Sequence, residues 1–162
     1  MSTTAPKSAK LYWIISAAVI LLLAGCILFY HQQLSKTAAQ SQADQEAVRL
    51  SYDTALINAC LPKVQEAVDG FYADYLTSSP TVTNYVTTVE SVTCDDNYNQ
   101  ATVVLEATPY VGAHDAVGTD RITLSLSNTG DITMQTFVHL NNYTLPDHLS
   151  DLILQPLPDG QE

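Results

Sequence analysis

Residues 120–139 read DRITLSLSNTGDITMQTFVH. Ile122, Leu124 and Leu126 alternate with Thr123 and Ser125, the mark of a strand with one buried face. Ser127-Asn128-Thr129-Gly130 is a hairpin-type turn, and β-branched residues resume after it, so the stretch predicts an antiparallel pair over 120–128 and 131–139. Upstream, the same period of two predicts strands over 82–94 and 101–111, joined at Asp95-Asp96-Asn97. Adjacent acids in such a turn read as a solvated loop rather than as paired catalytic carboxylates.

Before Pro80 the period is helical. Val48, Tyr52, Ala55, Leu56 and Ala59 share one face, and Val64, Ala67, Val68, Phe71 and Tyr75 share another. Pro62 lies between them. It has no amide hydrogen and disfavours a helical residue before it, so the expectation is two helices, one ending near Leu61 and the next opening on Pro62. Two helices followed by a four-stranded antiparallel meander predict an α+β domain over 47–154, with the helices on the apolar face in a cystatin- or NTF2-like layering. A short helix is expected within Pro146–Ile153, and a disordered tail over 155–162.

Residues 11–30, LYWIISAAVILLLAGCILFY, carry no charge. As a helix at about 1.5 Å per residue they span roughly 30 Å, the hydrocarbon thickness of a bilayer. Lys7 and Lys10 precede them and the next basic residue is Lys36, so the expected topology is a single-pass cell-membrane protein with a cytoplasmic segment 1–10. Leu23-Ala24-Gly25-Cys26 also resembles a lipobox, which would make 11–30 a lipoprotein signal and Cys26 the acylated residue. The apolar run through Ile27-Leu28-Phe29-Tyr30 favours the uncleaved helix. Both readings place the domain outside the cell, on a Gln/Ala/Ser-rich stalk over 31–46.

The chain has 162 residues, is 46% hydrophobic and carries a net charge of −11. That hydrophobic share excludes a wholly disordered chain, and the acidic balance excludes a nucleic-acid partner, which needs a basic footprint. From His31 onward four basic residues face all seventeen acids, a formal −13. The acids are scattered, so solubility beside an anionic envelope explains them better than recruitment of a basic partner.

Thr108-Pro109-Tyr110-Val111-Gly112-Ala113-His114-Asp115 and Gly118-Thr119-Asp120-Arg121-Ile122-Thr123, with Leu61-Pro62 upstream and Phe137-Val138-His139 downstream, carry a family likeness. Over about Ala55 to His139 the chain resembles a small extracytoplasmic bacterial domain-of-unknown-function family, the one numbered 3888. Its pattern is a Pro-initiated helix ending in aromatics, a "VGPH…G-x-D-x-IT" hairpin and a closing "F-x-H" strand. Ala113 departs from it, standing where Pro is more usual. The resemblance implies an anchored or secreted protein of Gram-positive bacteria, with no assigned reaction.

No G-x-S-x-G, H-E-x-x-H, P-loop or dinucleotide glycine motif is present, so the chain is not expected to be an enzyme. In an up-down meander the 111–120 loop and the end of the last strand lie at one end of the sheet, two strand spacings or roughly 10 Å apart. A loop folded over that end would gather His114, Asp115, Asp120 and His139 into a zinc site or a polar clasp. Period-two counting instead puts His139 with Thr133 and Gln135 as an exposed strand residue. Cys60 and Cys94 are candidates for a disulfide tying helix to sheet, or for two buried thiols. The function expected is a membrane-anchored binding or interaction domain for an unknown envelope protein or ligand. The alternatives are a metal-dependent enzyme or metal-binding protein using His114 and His139, and a structural envelope lipoprotein.

Overall fold

A computed structural model describes the backbone of residues 7–160, and the side chains of 21–23 and 25–160. The expected cytoplasmic segment 1–10, the side chains of the first half of the expected span and Ala24 lie outside the described side chains. Among the described residues no helix is long and apolar enough to cross a membrane. The chain divides into two units, Met1–Arg49 and Leu50–Glu162.

The described residues of the first unit, from Lys7 onward, belong to helix α1, Lys7–Tyr72. Its described side chains are all exposed, and the segment expected as a stalk is helical throughout. In the second unit α1 continues through Pro62 without a break, so the expected pair of helices is one. The reason lies in which face packs. Ile57, Cys60, Val64, Val68 and Tyr72 are buried at steps of three and four residues, a stripe that is continuous only if the helix is. Pro62 and Asn58 sit on the exposed side, where water can satisfy the carbonyl that loses its i→i−4 partner. The face expected from Val48, Tyr52, Ala55 and Ala59 is exposed instead.

Four strands form an antiparallel sheet in the order β1-β2-β5-β6: β1 Thr87–Cys94, β2 Gln100–Ala107, β5 Gly118–Ser127 and β6 Ile132–Asn142. The meander is as expected, with one addition. Tyr110–Val111 (β3) and Asp115–Ala116 (β4) make a two-stranded hairpin between β2 and β5, where a longer second strand was expected. Val103, Leu105, Ile122 and Leu124 face α1 and are fully buried. Their burial, with that of the helix stripe, stabilises the domain by the removal of apolar surface from water.

Three irregularities decide what faces that core. Val89 pairs with Leu105 and Ser91 with Val104, so Glu90 is bulged out of β1. Thr123 pairs with Thr136 and Leu124 with Met134, so Gln135 is bulged out of β6. Thr119 pairs with Asn141 and Asp120 with His139, so Leu140 is bulged as well. A bulge reverses side-chain parity. Beyond Gln135 it is Phe137 and His139 that turn inward, and His139 is 5% exposed rather than a surface strand residue.

Gln65 of α1 ties down the next segment: its side chain donates to the Pro80 carbonyl and accepts from the Val82 amide, both at 2.8 Å. Beyond β6, a 3-10 helix at Asp147–Leu152 leads into residues 153–160. There Leu157 packs against the core and the Pro158 carbonyl accepts from Asn142, where a disordered tail was expected.

Candidate functional site

The four residues expected to converge are divided between two places. β5 and β6 set Asp120 opposite His139, while His114 stands at the tip of the β3–β4 hairpin and Asp115 begins β4. Among the described residues no group of three or more His, Cys, Asp or Glu side chains is placed to hold a metal ion. A zinc site built from all four residues is therefore not formed.

The first place is a buried clasp. Asp120 is fully buried, and its Oδ1 lies 2.6 Å from His139 Nδ1. His139 Nε2 lies 2.8 Å from Asn142 Oδ1. Asn142 Nδ2 donates to the Pro158 carbonyl at 2.8 Å, which orients the amide and turns its oxygen to the ring, so Nε2 carries a proton. Phe71 stacks on the imidazole at a centroid distance of 5.0 Å. The Tyr72 hydroxyl donates a long bond of 3.4 Å to Asp120 Oδ1.

Burial pushes the Asp120 carboxyl up from its ordinary value, against the downward pull of His139. Burial, then the Asp120 charge, pushes the Tyr72 phenol well up. Asp120 Oδ2 is buried with no partner. Gly118 makes room for all of this: a Cβ there would stand 2.6 Å from the Asn141 carbonyl oxygen and from His139 Cε1, and 2.8 Å from Tyr72 Oη. The clasp joins α1, β5, β6 and the C-terminal segment, with Asp120 and His139 buried and Asn142 exposed.

The second place is exposed. Tyr85 Oη lies 2.8 Å from Tyr110 Oη and 2.9 Å from His114 Nδ1. The Tyr110 and His114 ring centroids are 4.6 Å apart, and those of Tyr85 and Tyr110 6.2 Å. Backbone structure holds each member. Tyr110 exchanges two backbone hydrogen bonds with Thr81, beside the Pro80–Val82 segment that Gln65 fixes. Tyr85 sits in the 3-10 turn Asn84–Val86 and borders a groove of about 440 Å³ beside Leu50, Thr54 and Ile57. Gly112 and His114 both take left-handed backbone, with φ of 54° and 77°. The Tyr85 hydroxyl pushes the Tyr110 phenol up.

Cys60 is buried and Cys94 exposed, and both are free thiols. Burial pushes the Cys60 thiol up. Cys26 is exposed on α1. In the first sheet turn Asp95 Oδ1 accepts from the amides of Asn99 and Gln100, the work of a turn residue. Glu90 and Arg121 pair through two bonds of 2.7 and 2.9 Å, which lowers the Glu90 carboxyl.

Sequence reasoning overlooked Tyr72, Tyr85 and Asn142. Two signals were available. Asp120 has the same parity as Ile122 and Leu124, an inward position for a carboxylate. Tyr72 lies four residues beyond Val68 on the buried stripe.

Fold and site together define an α+β domain in which a single helix covers an antiparallel meander, with a sealed Asp–His clasp inside and a Tyr–Tyr–His cluster outside. The chain belongs to the family described as "Protein of unknown function (DUF3888)", whose model matches residues 52–141. The match takes in α1 from Tyr52, the four-stranded sheet up to Asn141, the Asp120–His139 pair and the Tyr85–Tyr110–His114 cluster, while Asn142 and Pro158 lie beyond it. No curated protein and no solved structure matches the chain.

Proposed function

We propose that this chain is a membrane-anchored extracytoplasmic binding domain. On this reading residues 11–30 hold it in the bilayer, and the surface cluster of Tyr85, Tyr110 and His114 meets its ligand. The anchor reading is carried by one observation. Leu21, Leu22, Leu23, Ile27, Leu28, Phe29 and Tyr30 are each between 58 and 72% exposed on α1. In water, that much uncovered apolar surface is costly at about 25 cal/mol per Å², whereas lipid removes the cost. Lys7 and Lys10 before the segment, with no basic residue after it until Lys36, support an inward N-terminus.

The reading favours binding over catalysis because Asp120 and His139, the closest carboxylate–imidazole pair described, are sealed in the core. The test is fractionation of cells expressing the full chain, followed by labelling of intact cells with a membrane-impermeant maleimide. The chain is expected in the membrane pellet, released by detergent but not by salt or carbonate, with exposed Cys94 labelled before lysis. Recovery in the soluble fraction, or labelling of Cys94 only after lysis, would overturn the proposal. Intact mass of the membrane form separates the two anchors: an unmodified chain identifies the helix, and a diacylated chain beginning at Cys26 the lipoprotein.

A further inference from the structure

We infer that Tyr85, Tyr110 and His114 form a coordination site for a hard trivalent cation, ferric iron, on the domain surface. The inference deepens the reading above by naming what that surface binds. Three donor atoms already converge there. Tyr85 Oη is 2.8 Å from one neighbour and 2.9 Å from the other. An octahedral ion with bonds of about 2.0–2.1 Å needs adjacent donors about 2.9 Å apart, and Tyr85 stands at that spacing from each of its two neighbours.

The donors are also held in place. Tyr110 is locked by its paired backbone bonds to Thr81, and Tyr85 stands on a 3-10 turn whose flanking Val86 carbonyl accepts from the Thr108 amide. His114 is the costly member. Its φ of 77° is left-handed, as the tight turn between β3 and β4 requires. Here it brings Nδ1 to the two phenols. A site built on fixed elements loses little entropy when it closes on an ion.

The donor set selects the ion. Two phenol oxygens are hard donors and the imidazole nitrogen a borderline one that iron also accepts, whereas the soft ions that prefer sulfur would need Cys60 and Cys94, which lie elsewhere. On binding, each phenol releases its proton to water, the proton that Nδ1 donates to Tyr85 passes to Nε2 through water, and Nδ1 gives the ion its lone pair. No electron moves, and the remaining coordination positions are left to water or to the oxygens of an incoming chelate. The −13 charge from His31 onward draws a trivalent cation in and partly offsets its charge.

The test is titration of the full chain in detergent micelles with ferric nitrilotriacetate, followed by visible absorption. One equivalent is expected to develop a phenolate-to-iron charge-transfer band that the chelate alone lacks. Tyr85→Phe and Tyr110→Phe should each weaken uptake by roughly tenfold or more and diminish the band. His114→Asn, which tolerates left-handed backbone, should weaken uptake but keep the colour, because both phenolates remain. Tyr98→Phe, on a different exposed turn, should change neither. Unchanged circular dichroism and melting in each variant show that the fold is intact. Absence of the band, a band that survives the Tyr85→Phe/Tyr110→Phe double variant, or displacement of iron by equimolar zinc would overturn the inference. Titration in micelles reads the metal whether or not the chain is anchored in cells, so either proposal can fail alone.

Discussion

His139 and Asp120 show how much one residue's surroundings decide. Each would be an ordinary polar side chain on a solvated strand. Here the pair lies under the Phe71 ring with Asp120 fully buried, and one Asp120 oxygen is left without a partner. Buried charge is tolerated only while it is matched, so removal of one member exposes the cost of the other. His139→Leu alone is expected to destabilise the domain by about 3–5 kcal/mol, measured by urea unfolding. The Asp120→Leu/His139→Leu double variant should lose less than the sum of the two single losses, because the orphaned partner has gone. Additive losses would show that the two side chains act independently. The chemistry of these residues was legible in the sequence, which named both. The burial of Asp120 could be read from its parity with Ile122 and Leu124, but that of His139 could not, since it follows from a bulged register that no local pattern contains.

Elements were legible where their period was regular. The sheet strands, their turns and their antiparallel order follow from alternation and from Asn/Gly/Asp punctuation. Legibility failed at Pro62 and at the bulges, for the same physical reason. A local rule describes what a backbone prefers alone, and the packing of Cys60 and Val64 on one sheet outweighs the hydrogen bond that Pro62 removes. At Gln135 one extra residue reverses the side on which everything after it falls. Inserting one alanine after Gln135 should therefore turn Phe137 and His139 to the solvent face and destabilise the domain by about 4 kcal/mol or more, whereas Gln135→Ala, exposed and keeping the count, should cost within about 0.5 kcal/mol. Thermal melts followed by circular dichroism would separate the two. Equal, small effects would mean that the bulge is not what sets the register.

Across the whole domain, the groups buried in protonated form couple stability to pH. Burial raises the Cys60 thiol above its ordinary value of 9.0 and the Tyr72 phenol above 10.0. A raised folded value means stability fully present below the unfolded value and lost as pH climbs from there towards the folded one. The unfolded chain then releases protons that the folded chain retains. Stability should fall above about pH 9, by up to roughly 1.4 kcal/mol per pH unit for each group that has begun to ionise in the unfolded chain. Tyr72→Phe should flatten the fall above about pH 10, as read by denaturant unfolding between about pH 8 and about pH 11. An unchanged slope in that variant would remove Tyr72 from the account.

By itself the amino-acid sequence determined the helix-then-meander order, the apolar segment at 11–30, the acidic charge and the family likeness, because each is written in neighbouring residues. The tertiary structure alone decided that the helix runs through Pro62, that Cys60 and Cys94 stay apart, and that His114 parts from His139 to join two tyrosines. Such outcomes depend on which distant surfaces meet and in what register. That is settled by the packing of the whole domain, where a single bulged residue reverses a strand and a single glycine admits a ring.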